Sequence, residues 1–338
     1  MTTAYTFVPA REHVYPGHPE APSRFDALEP KLGSFAAEAL PVHPATRAEI
    51  ARIHRVELID ALEAACKRGT AIIDPAPTFI TPTSFEDALS AAGATLECTR
   101  SVLRGQAHNA FALVRPPGHH AEPDRAMGFC LFNNVAIAAC DALVRSQISM
   151  QRVAIVDFDA HHGNGTQAAF RDEPRVAYLS THQWGIYPGT GWYTEAPEAK
   201  RRIVNVPLPE RSGDTIFQNV ADELMTPFLR AFRPDLLLVS AGFDAHWRDP
   251  ITTLGLSTTG FYILSRRLVE LAEELCEGRI VFVLEGGYDP VNLANGATAV
   301  FAALTGSTAD QNAQDRMPYP EPDSAAQQIE QIRKWHGF

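Results

Sequence analysis

The sequence predicts an α/β fold: a single domain built as a three-layer α/β/α sandwich around a mostly parallel sheet of roughly eight strands. Short apolar segments alternate with longer amphipathic ones along the chain, which is the order expected of βαβ units. Several short segments are apolar throughout, such as 236–239 (LLLV), and such runs are typical of strands covered by helices on both faces. No Pro/Gly/Ser-rich linker divides the middle of the chain, so we expect residues 1–338 to form one domain.

The elements follow from these two kinds of segment. Strands are expected at residues 6–8, 41–43, 110–114, 153–157, 176–181, 203–206, 236–241 and 280–284. Helices are expected at residues 24–37, 56–68, 85–104, 133–146, 215–232, 259–276 and 291–304. Residues 307–338 are expected to be a C-terminal tail that wraps the surface, because 307–328 is rich in Asp, Gln, Pro and Ala.

Composition excludes several classes of protein. Lys and Arg number 29 and Asp and Glu number 40, a net charge of −11, so the far field repels nucleic acid and no direct nucleic-acid partner is expected. The charge could attract cationic substrates such as lysine-rich peptides or polyamines, although solubility alone is the simpler explanation. Five cysteines without a C-x-x-C pair exclude a disulfide framework and a zinc finger.

The compartment is predicted from missing signals. The five thiols are most simply reduced core residues, the N-terminus lacks a secretory pattern, and no apolar run is long enough for a membrane helix. We therefore expect a cytoplasmic protein with no membrane partner. The sequence leaves the oligomeric state open.

Residues capable of catalysis or metal binding follow four of the predicted strands. In parallel sheets ligands bind outside the carboxyl ends of the strands, so these positions are expected to meet. In chain order the residues are His119 and His120, then Asp157, Asp159 and His161, then Asp244, then Glu285, Gly286, Gly287 and Tyr288.

Each of these residues taken alone has a structural explanation. A single Asp after a strand is more often a helix cap or a loop residue, and a His-His pair or a Gly-Gly-Tyr turn is common. A structural role is expected for His18, His43, His54, His108, His182 and His246. The concentration of the other groups at one sheet edge nevertheless indicates a site.

The simplest chemistry for this set is that of a mononuclear metal hydrolase. Asp159, His161 and Asp244 supply three ligands and leave open positions for water and substrate. Zn²⁺ is the first choice, and Fe²⁺ or Co²⁺ could replace it. The neighbouring pair, His119 and His120, can move protons near neutrality, and Tyr288 can donate a hydrogen bond to a developing oxyanion.

The motifs that contain these residues resemble those of the histone deacetylase family, within the arginase–deacetylase superfamily, over nearly the whole chain. The matching segments are 115–121 (RPPGHHA), 157–165 (DFDAHHGNG), 187–191 (YPGTG), 241–244 (AGFD) and 285–289 (EGGYD), with 18–24 (HPEAPSR) near the N-terminus. Asn164 and the Glu-Gly-Gly-Tyr segment are similar to class II enzymes and their bacterial relatives. The resemblance implies the arginase–deacetylase fold and a deacetylase acting on linear amides.

The resemblance also implies catalytic roles. Asp159, His161 and Asp244 would bind Zn²⁺, and His120 would be the general base. His119, hydrogen-bonded to Asp157, would stabilise charge or assist protonation of the leaving group, while Tyr288 would complete the oxyanion site. The residues expected to line a tunnel for a lysine side chain or another slender alkylamine are Gly128, Phe129, Tyr187, Ile251, Gly286 and Gly287.

Further sites are implied by the same resemblance. A structural K⁺ would lie on main-chain oxygens of Asp157, Asp159 and His161, the Asp157 side chain and Ser180. A second K⁺ would lie near Phe170, Glu173 and Val176, and Arg24 would border an internal channel for acetate.

Two positions depart from parts of the family. Asn164 stands where many members have an Asp beside the general base, and an amide favours an imidazolium on His120 less than a carboxylate would. Residues 75–82 contain no acidic residue to hold a peptide backbone, so we expect weaker peptide recognition or another residue in that role. The same loop lacks the long insertion of acetylpolyamine amidohydrolases, which favours acyl-lysine substrates.

Three alternatives to acyl-lysine hydrolysis are considered. Acetylpolyamines or another small amide would suit the same catalytic residues. A binuclear manganese ureohydrolase is disfavoured, because 244–246 reads Asp-Ala-His and lacks the usual D-x-D pair. An acetyl-lysine binding protein without activity is disfavoured because Tyr288 and the three ligands are all present.

Overall fold

One parallel sheet organises the chain. A computed structural model describes residues 2–145, 150–308 and 315–338. The strands of the described residues are β1 (Thr3–Val8), β2 (Ala37–Ala39), β3 (Ala71–Ile72), β4 (Phe79–Ile80), β5 (Asn109–Val114), β6 (Val153–Asp157), β7 (Val176–Gln183), β8 (Ile203–Leu208), β9 (Leu236–Ala241) and β10 (Ile280–Leu284). Eight of them form a sheet in the order β2-β1-β5-β10-β9-β6-β7-β8, in which every pairing is parallel. The other two, β3 and β4, form a separate antiparallel hairpin.

Helices cover both faces of the sheet. They are α1 (Arg47–Ile50), α2 (Val56–Arg68), α3 (Ser84–Leu103), α4 (Asn134–Arg145), α5 (Asn164–Phe170), α6 (Asp214–Val220), α7 (Thr226–Phe232), α8 (Thr258–Cys276), α9 (Pro290–Thr305) and α10 (Ser324–His336). Within the described ranges no helix combines the length and apolarity needed to cross a membrane.

The two apolar cores explain why the strands are apolar throughout. Val153 and Ile155 of β6 pack in the same core as α3 and α4. The alternate residues Ala154 and Val156 pack in the core formed with α8 and α9. Because successive side chains of a strand point to opposite faces, both sets must be apolar when both faces are buried. The predicted three-layer sandwich is confirmed.

The prediction of a helix at 24–37 is wrong. The chain forms two short 3₁₀ helices there, Pro22–Phe25 and Glu29–Ser34. Pro30 lacks the N–H that a continuous α-helix would need and its ring would clash with the preceding turn, which accounts for the break.

The prediction of a strand at 41–43 is also wrong. The edge strand β2 lies earlier, at Ala37–Ala39, and pairs with Thr3–Tyr5 of β1. Pro41 and Pro44 flank the predicted position, and a proline cannot donate to a strand ladder. The other strand predictions fall within the observed strands.

Two C-terminal predictions also differ from the structure. The helix expected at 215–232 consists of α6, a π-helical turn at Ala221–Met225, and α7. Pro227 cannot donate to the preceding turn, and the Thr226 hydroxyl bonds the Ala221 carbonyl at 2.8 Å instead. The expected tail contains α10, whose Ile329 and Ile332 are buried in the core. The end of the helix expected at 133–146 lies outside the described residues.

A buried ion cluster supports the carboxyl end of the sheet. The carboxylate of Glu20 accepts from Arg115 Nε at 2.5 Å and Nη2 at 2.8 Å, and from Arg24 Nη1 at 3.2 Å. All three side chains are buried. Arg24 also donates from Nε to the Gly287 carbonyl at 2.7 Å and from Nη2 to the Glu285 carbonyl at 2.5 Å. The cluster thereby ties the N-terminal segment to the residues that follow β10.

We predict that Glu20→Gln lowers the free energy of unfolding by about 3–5 kcal/mol, because two buried guanidinium groups lose their counter-ion. Denaturant unfolding measures the loss. The control is Glu29→Gln, which removes an exposed ion pair with Arg11 and should cost no more than about 1 kcal/mol. Equal losses in the two variants would contradict the assignment.

The pH dependence of stability gives a second measurement on the same residue. Burial opposes the charge on Glu20, but Arg115 outweighs it and lowers the pKa to about 2, well below the usual 4.5. A depressed carboxyl pKa stabilises the fold above the unfolded pKa, and this contribution disappears as pH falls from 4.5 towards 2. Glu20→Gln should lack this part of the acid slope.

Candidate active site

The four strands whose ends carry the predicted residues are adjacent in the sheet. Their order is β5-β10-β9-β6, with no other strand between them. Parallel pairing brings all four carboxyl ends to one edge, so segments far apart in sequence converge there.

Asp159, His161 and Asp244 form the centre of this edge. One possible ligand atom from each lies within 4.8 Å of the others, and all three residues are buried. His161 Nδ1 is 3.1 Å from Asp159 Oδ1 and 2.9 Å from Asp244 Oδ2. Within the described ranges no other group of three or more His, Cys, Asp or Glu residues meets this criterion.

The surroundings of these residues fit a cation. Burial opposes a charge on His161, but Asp159 and Asp244 outweigh it and raise its pKa to about 10. Two buried carboxylates thus require positive charge between them, which a proton or a metal ion can supply. A Cβ built on Gly242 would lie 2.0 Å from Asp159 Oδ2, so glycine is needed for the backbone to approach this closely.

Backbone N–H groups orient the two carboxylates. Asp159 accepts from His161 N at 2.8 Å and from Gly286 N at 2.8 Å. Asp244 accepts from Ala160 N at 2.9 Å. The loops after β6 and β10 therefore hold the ligand oxygens in place.

The two adjacent histidines occupy different environments. His119 Nδ1 donates to Asp157 Oδ2 at 3.1 Å. Burial disfavours its charge, but Asp159 and Asp157 raise the pKa of His119 to about 10. Burial lowers the pKa of His120 well below its usual range, and positive charge on His119 and His161 lowers it further. The pKa values of the two imidazoles are therefore shifted in opposite directions.

The loop that presents the histidines is anchored to β10. Glu285 accepts from the N–H groups of Gly118 at 2.7 Å and His119 at 3.1 Å. Ser240 at the end of β9 donates to its other oxygen at 3.0 Å. Glu285 thus couples three of the four strand ends.

A cavity of about 300 Å³ reaches His161 of this centre. Its lining residues are Ala76, Pro77, His120, Gly128, Phe129, His161, Tyr187, Ile251 and Tyr288. Gly128, Phe129, Tyr187 and Ile251 therefore line the pocket, as predicted for the tunnel. Gly286 and Gly287 lie behind the wall, where their backbone atoms bond Asp159 and Arg24.

Two carboxylates beside the pocket were not predicted. Asp249 accepts from the N–H groups of Tyr288 and Ile251, both at 2.9 Å, and so joins two parts of the wall. Asp74 accepts from Thr78 Oγ1 at 3.3 Å and lies 3.4 Å from Gly128 N. Asp74 directly precedes the segment 75–82, which itself contains no acidic residue, and so places a carboxylate next to that loop.

The predicted K⁺ residues are close together in the structure. Ser180 pairs with Asp157 across β6 and β7, and its hydroxyl lies 2.9 Å from His182 Nδ1. At the second predicted K⁺ site, Arg202 Nη1 donates to the Phe170 carbonyl at 2.7 Å and to the Val176 carbonyl at 3.0 Å. A guanidinium therefore supplies positive charge where the second ion was expected.

Comparison with known proteins agrees with this architecture. Residues 18–304 match the family model of the histone deacetylase domain. The chain therefore belongs to the histone deacetylase family and is a hydrolase of the deacetylase and amidohydrolase type.

Individual relatives cover most of the chain. Histone deacetylase 10, chloroplastic, of Oryza sativa is 41% identical over 94% of this chain and 77% of its own length. The histone deacetylase-like amidohydrolase of Pseudomonas aeruginosa is 34% identical over 94% of this chain and 85% of its own length. The crystal structure of the HDA15 HD domain superposes with a TM-score of 0.87 at 31% identity, covering 99% of this chain and 94% of that one.

We predict that Asn164→Asp moves the acidic limb of the pH–rate profile to higher pH. His120 Nδ1 donates to Asn164 Oδ1 at 2.8 Å, and a carboxylate there would raise the pKa of His120 by favouring its charged form. A base with a higher pKa becomes neutral only at higher pH. The control is Asn295→Asp on α9, beside Lys31, which should leave the limb in place. An unmoved limb in Asn164→Asp would contradict the prediction.

Proposed function

We propose that this protein is a zinc-dependent amidohydrolase that removes acetyl or other acyl groups from N6-acyl-lysine in proteins or peptides, releasing acetate from acetylated substrates. The observation that carries the proposal is the buried group of Asp159, His161 and Asp244, whose imidazole lines a pocket of about 300 Å³. Membership of the histone deacetylase family supports the reaction class.

The donor set favours a divalent metal ion. Two carboxylates and one imidazole leave open positions for water and the amide oxygen, which suits Zn²⁺ and is compatible with Fe²⁺ or Co²⁺. When bound, the ion would polarise the amide carbonyl and make water more acidic. K⁺ near Asp157 and Ser180 is proposed as a structural ion.

Different side chains around the pocket carry out the separate proton transfers. Neutral His120 takes a proton from the water that attacks the carbonyl carbon. Charged His119, held by Asp157, stabilises the negative charge and can supply a proton to the amine as the C–N bond breaks. Burial raises the pKa of Tyr288 well above its usual value, so its hydroxyl stays protonated and can donate to the oxyanion.

The pocket wall favours a slender substrate. Phe129, Tyr187, Pro77 and Ile251 line it, and these side chains suit the methylene chain of lysine. Acetylpolyamines share that chain, so they are the alternative substrate. Asp74 beside the pocket supplies a carboxylate that can accept from a peptide N–H, which favours acyl-lysine in a polypeptide.

A substrate panel tests the proposal. The protein is stripped with a chelator, reloaded separately with Zn²⁺, Fe²⁺ or Co²⁺, and assayed on acyl-lysine peptides and N-acetylputrescine. We expect restoration by metal and a kcat/KM at least about tenfold higher for a peptide, corresponding to about 1.4 kcal/mol. Higher kcat/KM for the polyamine would favour the small-amide alternative, and peptide binding without hydrolysis would favour a binding protein.

We predict that Tyr288→Phe lowers kcat by about 10²–10³-fold, the usual effect of losing one oxyanion donor. Metal content should stay at the wild-type level, because the phenol is not among the three proposed ligands. The control is Tyr319→Phe, at an exposed residue, which should keep full activity. Full activity in Tyr288→Phe would remove the proposed role.

A further inference from the structure

We propose that Glu122 is a positioning residue for His120: it orients the Asn164 amide, which places the imidazole hydrogen on Nδ1 and leaves Nε2 free to accept a proton. The inference rests on the proposed function, in which His120 is the base. It concerns a carboxylate that the sequence motifs did not single out.

Three contacts connect the base to the protein surface. His120 Nδ1 lies 2.8 Å from Asn164 Oδ1. Asn164 Nδ2 donates to Glu122 Oε1 at 2.8 Å. Arg125 Nη2 donates to the other carboxylate oxygen, Oε2, at 3.0 Å. The base is therefore backed by an amide and then by a carboxylate.

The Glu122 carboxylate fixes the direction of the hydrogen bonds that join it, through Asn164, to His120. An ionised carboxylate only accepts hydrogen bonds, so the side of the Asn164 amide that faces Glu122 must be the NH₂ group. The amide oxygen then faces His120, and this oxygen also only accepts. Nδ1 of His120 must therefore carry the hydrogen. Because a neutral imidazole has one N–H, Nε2 is unprotonated.

The backbone of Glu122 is itself held firmly. Its carbonyl accepts from His54 Nδ1 at 3.0 Å, and His54 Nε2 accepts from the Asn133 N–H at 2.8 Å. His54 is buried, and burial lowers its pKa to about 4. The neutral imidazole of His54, whose tautomer is fixed by these two bonds, thus anchors Glu122. Glu122 in turn orients the His120 imidazole through Asn164.

The ion pair with Arg125 alone does not account for this arrangement. Arg125 is 59% exposed and the Glu122 side chain 25% exposed, and exposed pairs contribute little to stability. A carboxylate serving only that pair would not need to face the Asn164 amide.

A double-mutant cycle at positions 122 and 164 tests the proposal by reversing the direction of these hydrogen bonds. Glu122→Lys places a donor behind Asn164, which turns the amide oxygen outward and its NH₂ towards His120, forcing the hydrogen onto Nε2. We expect kcat to fall about tenfold or more with KM within about twofold. Asn164→Asp alone places two carboxylates together and should lower kcat similarly. In the double variant the ammonium can donate to the introduced carboxylate, which accepts from Nδ1, so kcat should return to within about threefold of wild type.

The matched control is Asp124→Lys, which makes the same charge change at an exposed position two residues along the chain and should leave kcat unchanged. The proposal would be overturned if Glu122→Lys changed kcat in the same direction in the wild type and in Asn164→Asp. Thermal unfolding of each variant checks folding. If the Lys variant does not fold, Glu122→Gln replaces it, since a Gln amide can donate to a carboxylate at 164 and should likewise raise kcat only in the Asn164→Asp background.

Imidazole ¹⁵N NMR gives a readout independent of turnover. The His120 signals, assigned by comparison with His120→Gln, should show the Nδ1–H tautomer in the wild type and the Nε2–H tautomer in Glu122→Lys. This result in a protein that hydrolyses no acyl-lysine would support the positioning role and refute the proposed function. An active wild type whose tautomer is unchanged by Glu122→Lys would refute the positioning role alone.

Discussion

Two buried aspartates, whose negative charges need compensation, impose the main constraint on this protein. Asp159 and Asp244 are fully buried at the ends of neighbouring strands, where unpaired negative charge is very unfavourable. Backbone N–H groups hold part of each carboxylate, and His161 lies between the remaining oxygens. The need for positive charge between these oxygens makes the group able to bind a metal ion.

Charged and polar side chains outside that centre hold its groups in position. Arg24 donates to the carbonyls of Glu285 and Gly287 in the turn before Tyr288, and the Glu20 carboxylate pairs with both Arg24 and Arg115. On the opposite side, Tyr178 donates to Asp157 at 2.8 Å, which in turn accepts from His119. Asp157, His119 and the turn before Tyr288 are thus each held by a partner from another strand or loop. Such support is what a preorganised site requires.

The sequence predicted the parts of the structure that have strong local patterns. Continuous apolar runs and their spacing revealed the parallel sheet, and the polar residues after the strands converge as expected. The 24–37 segment failed because Pro30 and the buried contacts of Arg24 override an amphipathic pattern. Asp74, Asp249 and Glu122 escaped prediction because an acidic loop residue has no periodicity. Only the folded backbone shows that their oxygens face the pocket wall or the Asn164 amide.

The guanidinium of Arg202 has a consequence for how the protein responds to its medium. It occupies the carbonyls of Phe170 and Val176, at the junction of α5 and β7, where a dissolved cation would otherwise be expected. Because this charge is covalently part of the chain, it cannot be diluted, exchanged or washed out. The turn that leads into the central sheet therefore has a positive partner that does not have to be supplied by ions in solution.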